Sequence, residues 1–396
     1  MRTGLPSTTF ADVTVLDLSR LLPGPFCTWM LADLGARIWK VESPSGGDYA
    51  RWYPPLVDNR DGGYGAFFAS VNRGKQSIAV DLKDDRSAAV MEGLVRCADV
   101  LIEGFRPGVM ERLGLDESQL RIWRPDLVYC RLSGFGQTGP DAKRAGHDLG
   151  YLARSGVLGA TGPSADPPVM PAVQVADLAG GALQAAFGIA SALWRRERTG
   201  EGCTLDVSMT EGALHLLAPM LGTARSQSRP VRRGREMLTG GLPCYRTYRT
   251  ADDRYLAVAA LEPHFWAAFC ARIGHPEWAA SGLAQGEEGE EVAAALAEVI
   301  ASRPLAEWLE ELREDDVCVE PVLELDELVQ DAQLVARNAL HPATGLPRLP
   351  VGTRDSAAGE VPPLLGEHTR AVLEEVGLSA AEIGTLLKAG VVAEVV

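Results

Sequence analysis

The stretch VTVLDLSRLLPGPFCTWMLADLGARIWKVE, residues 13–42, decides the fold. Val13–Leu18 reads as a strand, Phe26–Leu34 as a helix and Arg37–Glu42 as a second strand. The rhythm continues outward from there. Ser77–Leu82 is a third strand, followed by a helix over about 84–97. Val100–Phe105 is a fourth strand, with short helices around Val109–Leu113 and Ser118–Trp123 before a fifth strand at Leu127–Leu132. Strands of this length alternating with helices predict an α/β fold with a Rossmann-like parallel sheet and crossover helices. Such sheets receive ligands at the carboxyl ends of their strands. Chemistry is therefore expected in the loops after Leu18, Glu42, Phe105 and Leu132.

Residues 48–70 break the rhythm with Gly, Pro, Tyr and Trp, ending in Gly62-Gly63-Tyr64-Gly65, and read as a long surface loop. An apolar helix runs from Asp177 to about Arg198, and Thr204–Ser208 and Glu211–Leu221 read as strand and helix. Arg225, Arg229, Arg232, Arg233 and Arg235 then fall within eleven residues, the best linker candidate. Leu242–Leu261 has strand character, with helices at Val292–Ser302 and Leu305–Leu312; the acidic run Glu287–Glu291 reads as a solvated loop or helix start. The organisation expected is a large α/β domain over 1–222, joined again by 340–396, and a smaller α+β domain over 240–325. Linkers at 223–239 and 326–339 connect them.

The chain has 396 residues, with Lys+Arg 38 against Asp+Glu 53, a formal net charge of −15. That balance argues against a partner read through its phosphate backbone, so no nucleic acid is expected. Seven cysteines at wide spacings, without a CxxC, read as buried thiols of a reducing compartment. Neither a signal peptide nor a membrane-spanning run is recognised, and a cytoplasmic protein with no membrane partner is expected.

Gly134-Phe-Gly136-Gln-Thr-Gly139 fits GxGxxG, but Pro140 follows where a dinucleotide fingerprint would open a helix, so a glycine-rich turn is expected. The P-loop, HExxH and GxSxG motifs are absent from the sequence, and the six histidines do not pair at metal-ligand spacing, so no metal site is expected. His147, in Ala145-Gly146-His147-Asp148, stands on a loop beyond the sheet, where an acid/base role gains weight. Asp177 opens the apolar helix; as a helix N-cap it would be oriented and kept ionised, which is compatible with a role as base or nucleophile. Glu262, before Pro263, is expected to be exposed at a turn. Arg73, Lys75, Lys83, Arg106 and Arg112 lie in or near the early βα loops and together would suit a phosphate-bearing ligand.

Six blocks taken together resemble the family III CoA-transferase and α-methylacyl-CoA racemase superfamily. They are Leu-Leu-Pro-Gly-Pro (21–25), Leu-Ala-Asp-Leu-Gly-Ala (31–36), Asn-Arg-Gly-Lys (72–75), Ala-Val-Asp-Leu-Lys (79–83), Ala-Asp-Val-Leu-Ile-Glu-Gly-Phe-Arg-Pro-Gly-Val (98–109) and Ser-Gly-Phe-Gly-Gln-Thr-Gly-Pro (133–140). The segments 145–153, 175–181, 239–252 and 261–266 resemble the racemase branch in particular. The resemblance implies His147 and Asp177 as opposed acid/bases and Glu262 as the hydrogen-bond partner of His147. Transferases of the family usually have an aromatic residue at the place of His147, and use the aspartate at the place of Asp177 as a nucleophile. The resemblance also implies coenzyme A, as part of the substrate and with no separate cofactor, over Val80, Leu82, Lys83, Gly104, Phe105, Arg106 and Arg112. Arg73, Lys75, Gly146, Asp148 and Tyr151 complete the binding set, with backbone N–H groups around Asp148 and Gly240–Gly241 polarising the thioester oxygen. A racemase arginine that binds coenzyme A falls near Ser43, leaving Lys40 as its substitute; the insert at 48–70 and Asn72–Ser77 look more like the transferase branch. An interlocked homodimer, with Glu262 supplied by the other subunit, is implied as well. The activity expected is interconversion of (R)- and (S)-2-methylacyl-CoA; the alternative is acyl-CoA:carboxylate CoA transfer.

Overall fold

The computed structural model describes residues 4–57, 64–227, 230–313, 315–352 and 361–395. Gly62, Gly63 and Arg229 of the segments singled out above lie outside them. The strands in chain order are β1 (Thr14–Leu18), β2 (Arg37–Glu42), β3 (Leu56–Val57), β4 (Tyr64–Gly65), β5 (Gln76–Val80) and β6 (Val100–Glu103). They continue with β7 (Val128–Ser133), β8 (Cys203–Ser208), β9 (Tyr245–Arg249), β10 (Tyr255–Ala259), β11 (Val319–Pro321) and β12 (Val392–Ala393). The large sheet has seven strands in the order β12-β5-β2-β1-β6-β7-β8. All its pairings are parallel except that of β12 with β5. The α/β expectation with a mainly parallel sheet is met. All five residues of β1 and all four of β6 are buried, as expected for parallel strands covered on both faces.

Cα proximity groups the chain into two units. One comprises Met1–Ser155, Ala172–Leu217 and Val335–Val396; the other comprises Gly156–Pro171 and Ala218–Leu334. The segment 156–171 thus groups with the second unit, because Arg233 binds its backbone: Nε donates to Pro163 O (3.0 Å) and Nη1 to Gly159 O (3.5 Å). The second unit has an antiparallel sheet in the order β11-β10-β9 and its own core, including Tyr248, Leu256, Trp266, Phe269 and Trp308. The acidic run Glu287–Glu291 lies inside the helix Gly286–Ile300, where acids in the first turn oppose the helix dipole favourably.

In the first unit, Ala176–Ala182 forms a π-helical turn that continues into the helix Leu183–Thr199. Ala176–Thr199 is long and apolar enough, by length and composition, to cross a membrane. Ala185, Ile189, Ala192 and Leu193 are nevertheless buried, and the helix packs against β7 and β8 as a core element. Leu183, Phe187 and Trp194 stay exposed. All seven cysteines are free; Cys27, Cys130, Cys244 and Cys270 are buried as expected, whereas Cys97 is exposed.

The carboxyl-terminal halves of β1 and β2, with the loop that enters β5, carry an unusual load of buried charge. Asp17 pairs with Lys75 (3.3 Å), Lys40 with Asp48 (3.0 Å) and Glu42 with Arg51 (2.7 Å), all six groups being essentially out of solvent. Their lone pairs and protons are filled by further bonds: Lys40 Nζ to Ser19 O, Lys75 Nζ to Asn72 Oδ1 and Pro25 O, and Ser77 Oγ to Glu42 Oε2. Against the cost of burial, Lys75 and Lys40 hold the Asp17 carboxyl below its ordinary value, and the Arg51 hydrogen bonds do the same for Glu42. Burial, reinforced by repulsion from Lys40 and opposed by Asp17, lowers Lys75 to about 8. Asp48 also accepts from the Leu21 N–H with both oxygens (3.1 Å). That bond holds Leu21 at φ +63°, a left-handed conformation costing about 1–3 kcal/mol in a residue with a side chain. Removing one partner of such a network leaves the other charge unpaired. Lys75→Met is expected to cost about 3–5 kcal/mol in urea unfolding, while the exposed Lys388→Met stays within about 0.5 kcal/mol; equal midpoints for the two variants would contradict this role.

Candidate active site

Strand order reverses direction between β1 and β6, the place where an open parallel sheet leaves a crevice. Two cavities open there. The first, about 440 Å³, lies over the ends of β1, β2, β5 and β6; its apolar wall includes Val41, Val80, Leu82, Val109 and Leu113, and Arg20, Lys83 and Arg106 line it too. The second, about 420 Å³, extends toward β7 and is lined by Ser133, Gly134, Gly146, His147, Tyr151 and Met209 among others. Arg20, Gly104, Phe105 and Arg106 line both.

Tyr151 and two glycines shape the second cavity. A Cβ on Gly134 would fall 2.4 Å from Tyr151 Cε1, and one on Gly146 2.5 Å from it, so the tyrosine ring is seated where only glycine backbone fits. Phe135 stacks edge-on against the same ring at 5.2 Å. Burial, with a contribution from Asp177, raises the Tyr151 phenol to about 12, so it is a hydrogen-bond donor across the neutral range. Ser133 is buried and lines this cavity, and its hydroxyl has no partner among the described residues, so it has hydrogen-bonding capacity to offer a ligand oxygen.

Asp177 is not a cap. It is the second residue of the π-helical turn, and the capping carboxylate comes from elsewhere: Asp148 Oδ1 accepts from the N–H of Ala176 (2.8 Å) and of Asp177 (3.0 Å). His147, on the exposed rim, is therefore joined to Asp177 through its own chain neighbour. The turn sits close on the helix Met209–Leu216: a Cβ on Gly212 would lie 1.9 Å from Gly180 O. Burial, assisted by the nearby Asp148 charge, raises the Asp177 carboxyl from 3.8 to about 7.

Several sequence expectations are corrected by this geometry. Lys75 and Lys40 are buried counter-ions of Asp17 and Asp48 and line neither of these two cavities. Arg73 lies over the Trp29 ring (4.1 Å), near Asp33 (3.8 Å), and donates to Ser70 O and Pro347 O. Arg112 leans over Gly108 outside the cavity wall, and the Asp148 carboxylate is committed to the helix turn. Gly241 N–H already donates to Glu236 O, so it is not free to polarise a thioester. Glu262 is exposed and precedes the helix Pro263–Arg272 in the second unit, as its proline neighbour foretold. Val80, Leu82, Lys83, Gly104, Phe105 and Arg106 do line the first cavity, and Gly146, His147 and Tyr151 the second.

Arg20 is the residue that sequence reasoning missed. Its guanidinium lies over the rings of Tyr49 (5.3 Å) and Phe105 (5.1 Å) and donates to Tyr49 Oη, placing a cation where the cavities meet. Its position directly after β1, at the reversal of strand order, was the available signal.

The raised Asp177 pKa has a consequence for stability. Between pH 3.8 and about 7 the unfolded carboxyl loses its proton while the folded one keeps it, so folding stability falls as pH rises through that window and the loss is complete above it. Asp177→Asn is expected to raise the melting temperature at pH 8, with the gain shrinking as pH falls toward 4; a gain independent of pH would contradict the assignment.

Residues 10–369 match the model of the family described as CoA-transferase family III. Human alpha-methylacyl-CoA racemase is 39% identical over 385 residues, covering 94% of each chain. Acetyl-CoA:oxalate CoA-transferase of Acetobacter aceti is 38% identical, covering 86% of this chain and 87% of its own. The crystal structure of a CAIB/BAIF family protein from Brucella suis superposes with a TM-score of 0.81 at 30% identity, covering 95% of this chain and 100% of that one. Since the family match spans most of the sequence and the relatives align nearly end to end, this chain belongs to CoA-transferase family III and is an enzyme of that family.

Proposed function

We propose that the enzyme interconverts (R)- and (S)-2-methylacyl-CoA by 1,1-proton transfer through an enolate. The observation that carries this reading is an aspartate whose pKa of about 7 suits it both to take and to give a proton near neutrality, its turn held by the carboxylate of Asp148, the residue next to His147 in the chain. A nucleophilic carboxylate would be better served by staying ionised. Inversion needs one group on each face of the α-carbon, and the α-methylacyl-CoA racemase similarity supports His147 and Asp177 in those places.

The cavities fit the substrate class. The apolar wall of the first suits an adenine ring, with Lys83, Arg106 and Arg20 for its phosphates. The thioester then reaches the second cavity, where the Ser133 hydroxyl and backbone N–H groups hold the oxygen that becomes charged in the enolate. Coenzyme A enters as part of the substrate, and the proton transfer calls for no further cofactor. A homodimer completes the site: Leu183, Phe187 and Trp194 are the apolar face that a second copy covers, and Glu262 of that copy fixes the His147 tautomer. Free thiols accord with a cytoplasmic location.

CoA transfer is the second reading, favoured by the 38% identical oxalate CoA-transferase. There Asp177 attacks the acyl-CoA carbonyl, and His147 has no necessary part. The test is kinetic. His147→Ala and Asp177→Asn should each lower racemisation by about 10²–10⁴-fold, with α-proton exchange in deuterium oxide impaired more for one enantiomer by one variant and for the other enantiomer by the second. A His147→Ala enzyme that keeps full activity and moves coenzyme A onto a carboxylate would replace this reading with the second. For wild type, kcat/KM should follow one and the same pH profile in both directions, because the pH-independent equilibrium between the enantiomers fixes their ratio, with one limb near pH 7 set by Asp177. A limb near pH 7 that persists unchanged in Asp177→Asn would contradict the assignment.

A further inference from the structure

The basic segment singled out in the sequence is not used by the proposed chemistry, and within the second unit it builds a cavity of its own. That cavity, about 440 Å³, is lined by Ser164, Ala165, Arg232, Arg233 and Arg235. Three arginines and a serine therefore line one space, with no acidic residue among the described residues of its wall. We infer that this cavity is a binding site for a small dianionic oxyacid, a phosphate monoester or a dicarboxylate.

The site is built by a turn. Arg235 N–H donates to Arg232 O (3.1 Å), which brings these two arginines together on the arms of a tight reversal. Gly234 sits inside it at φ +65°, and a Cβ there would fall 2.9 Å from Gly162 O and Ser164 N; the turn rests directly on the opposite wall. Arg233 holds the two walls together, donating to the carbonyls of Gly159, Pro163 and Asp166. Those acceptors are neutral, so its charge is not cancelled by an ion pair among the described residues. Arg232 and Arg235 are exposed and line the same space.

Two nearby acids are engaged elsewhere. Glu236 Oε1 accepts from the backbone N–H of Arg232, and the Glu290 carboxylate, which feels the Arg235 charge, is held by both terminal nitrogens of Arg246 at 3.0 and 3.1 Å. Three like charges around one cavity repel one another, and an anion reverses the sign of that energy. Arginine forks match the paired oxygens of carboxylate and phosphate, and the Ser164 hydroxyl adds a donor. The inference stands whether the enzyme moves a proton or coenzyme A.

Isothermal titration of the full-length protein with inorganic phosphate, and separately with succinate, at fixed ionic strength, tests this. Wild type should bind at least one probe saturably; phosphate alone identifies a phosphate ester, and succinate alone a dicarboxylate, as the ligand class. The variant Arg232→Gln with Arg235→Gln keeps the structural Arg233 and should weaken binding at least tenfold, whereas Arg106→Gln, in the first cavity, should leave it within twofold. If the double variant does not fold, Arg235→Gln alone should weaken binding at least threefold. Absence of saturable binding, or loss of binding in Arg106→Gln with retention in the arginine-cavity variants, would overturn the inference.

Discussion

Everything at the mouth of the sheet depends on six charges buried beneath it. Asp17, Lys40, Glu42, Asp48, Arg51 and Lys75 are taken out of water in pairs, and each pair ties a strand end to a loop. Burying ions is costly, and an apolar replacement of similar shape is often as stable or more so. What the ions add here is placement. Asp48 holds the loop after β1 in its left-handed turn through Leu21, and Arg51 anchors the following segment both to Glu42 and to Pro363 O near the chain's end. Arg20 is thereby set at the junction of the two cavities. A purely apolar layer would pack the strands but would not specify where these loops go.

The same logic of cost and placement recurs at Asp177. Its carboxyl is half-buried beside a second carboxylate, an arrangement that opposes stability at neutral pH and raises its proton affinity. The backbone around it is correspondingly tight. Asp148 fastens the first N–H groups of the π-helical turn, and the Gly180–Gly212 contact lets the neighbouring helix approach backbone to backbone. Insertions of this kind in helices are frequent at functional sites. An aspartate in a regular, solvated first turn would be ionised at all working pH values and would be suited to only half of a two-way proton transfer.

Much of this was legible in the sequence, and the residues that were not share a physical reason. β2 was read at its observed bounds because its apolar run is flanked by breaks in pattern; β12, two residues pairing antiparallel with β5, is too short to carry a period. The cavity-lining Val80, Leu82, Lys83, Gly104, Phe105 and Arg106 were found from family resemblance and from their place at strand ends. Lys40, Arg73 and Lys75 occupy similar sequence positions yet are internal. Charge type does not reveal whether a cation answers a ligand or a buried carboxylate, which depends on partners distant in sequence such as Asp17 for Lys75. The π-helical turn was invisible for a related reason, since Ala-Asp-Leu-Ala-Gly-Gly-Ala would serve an α-helix as well and only its close neighbours select the wider form.

The central claim is that the site exchanges a proton at an α-carbon. Its most direct test is NMR of one enantiomer of a 2-methylacyl-CoA with wild-type enzyme in deuterium oxide, with free carboxylic acids absent. The account predicts deuterium at the α-carbon together with loss of optical purity. Retention of the α-proton, with coenzyme A passing to a carboxylate once one is added, would contradict it and leave Asp177 as a nucleophile.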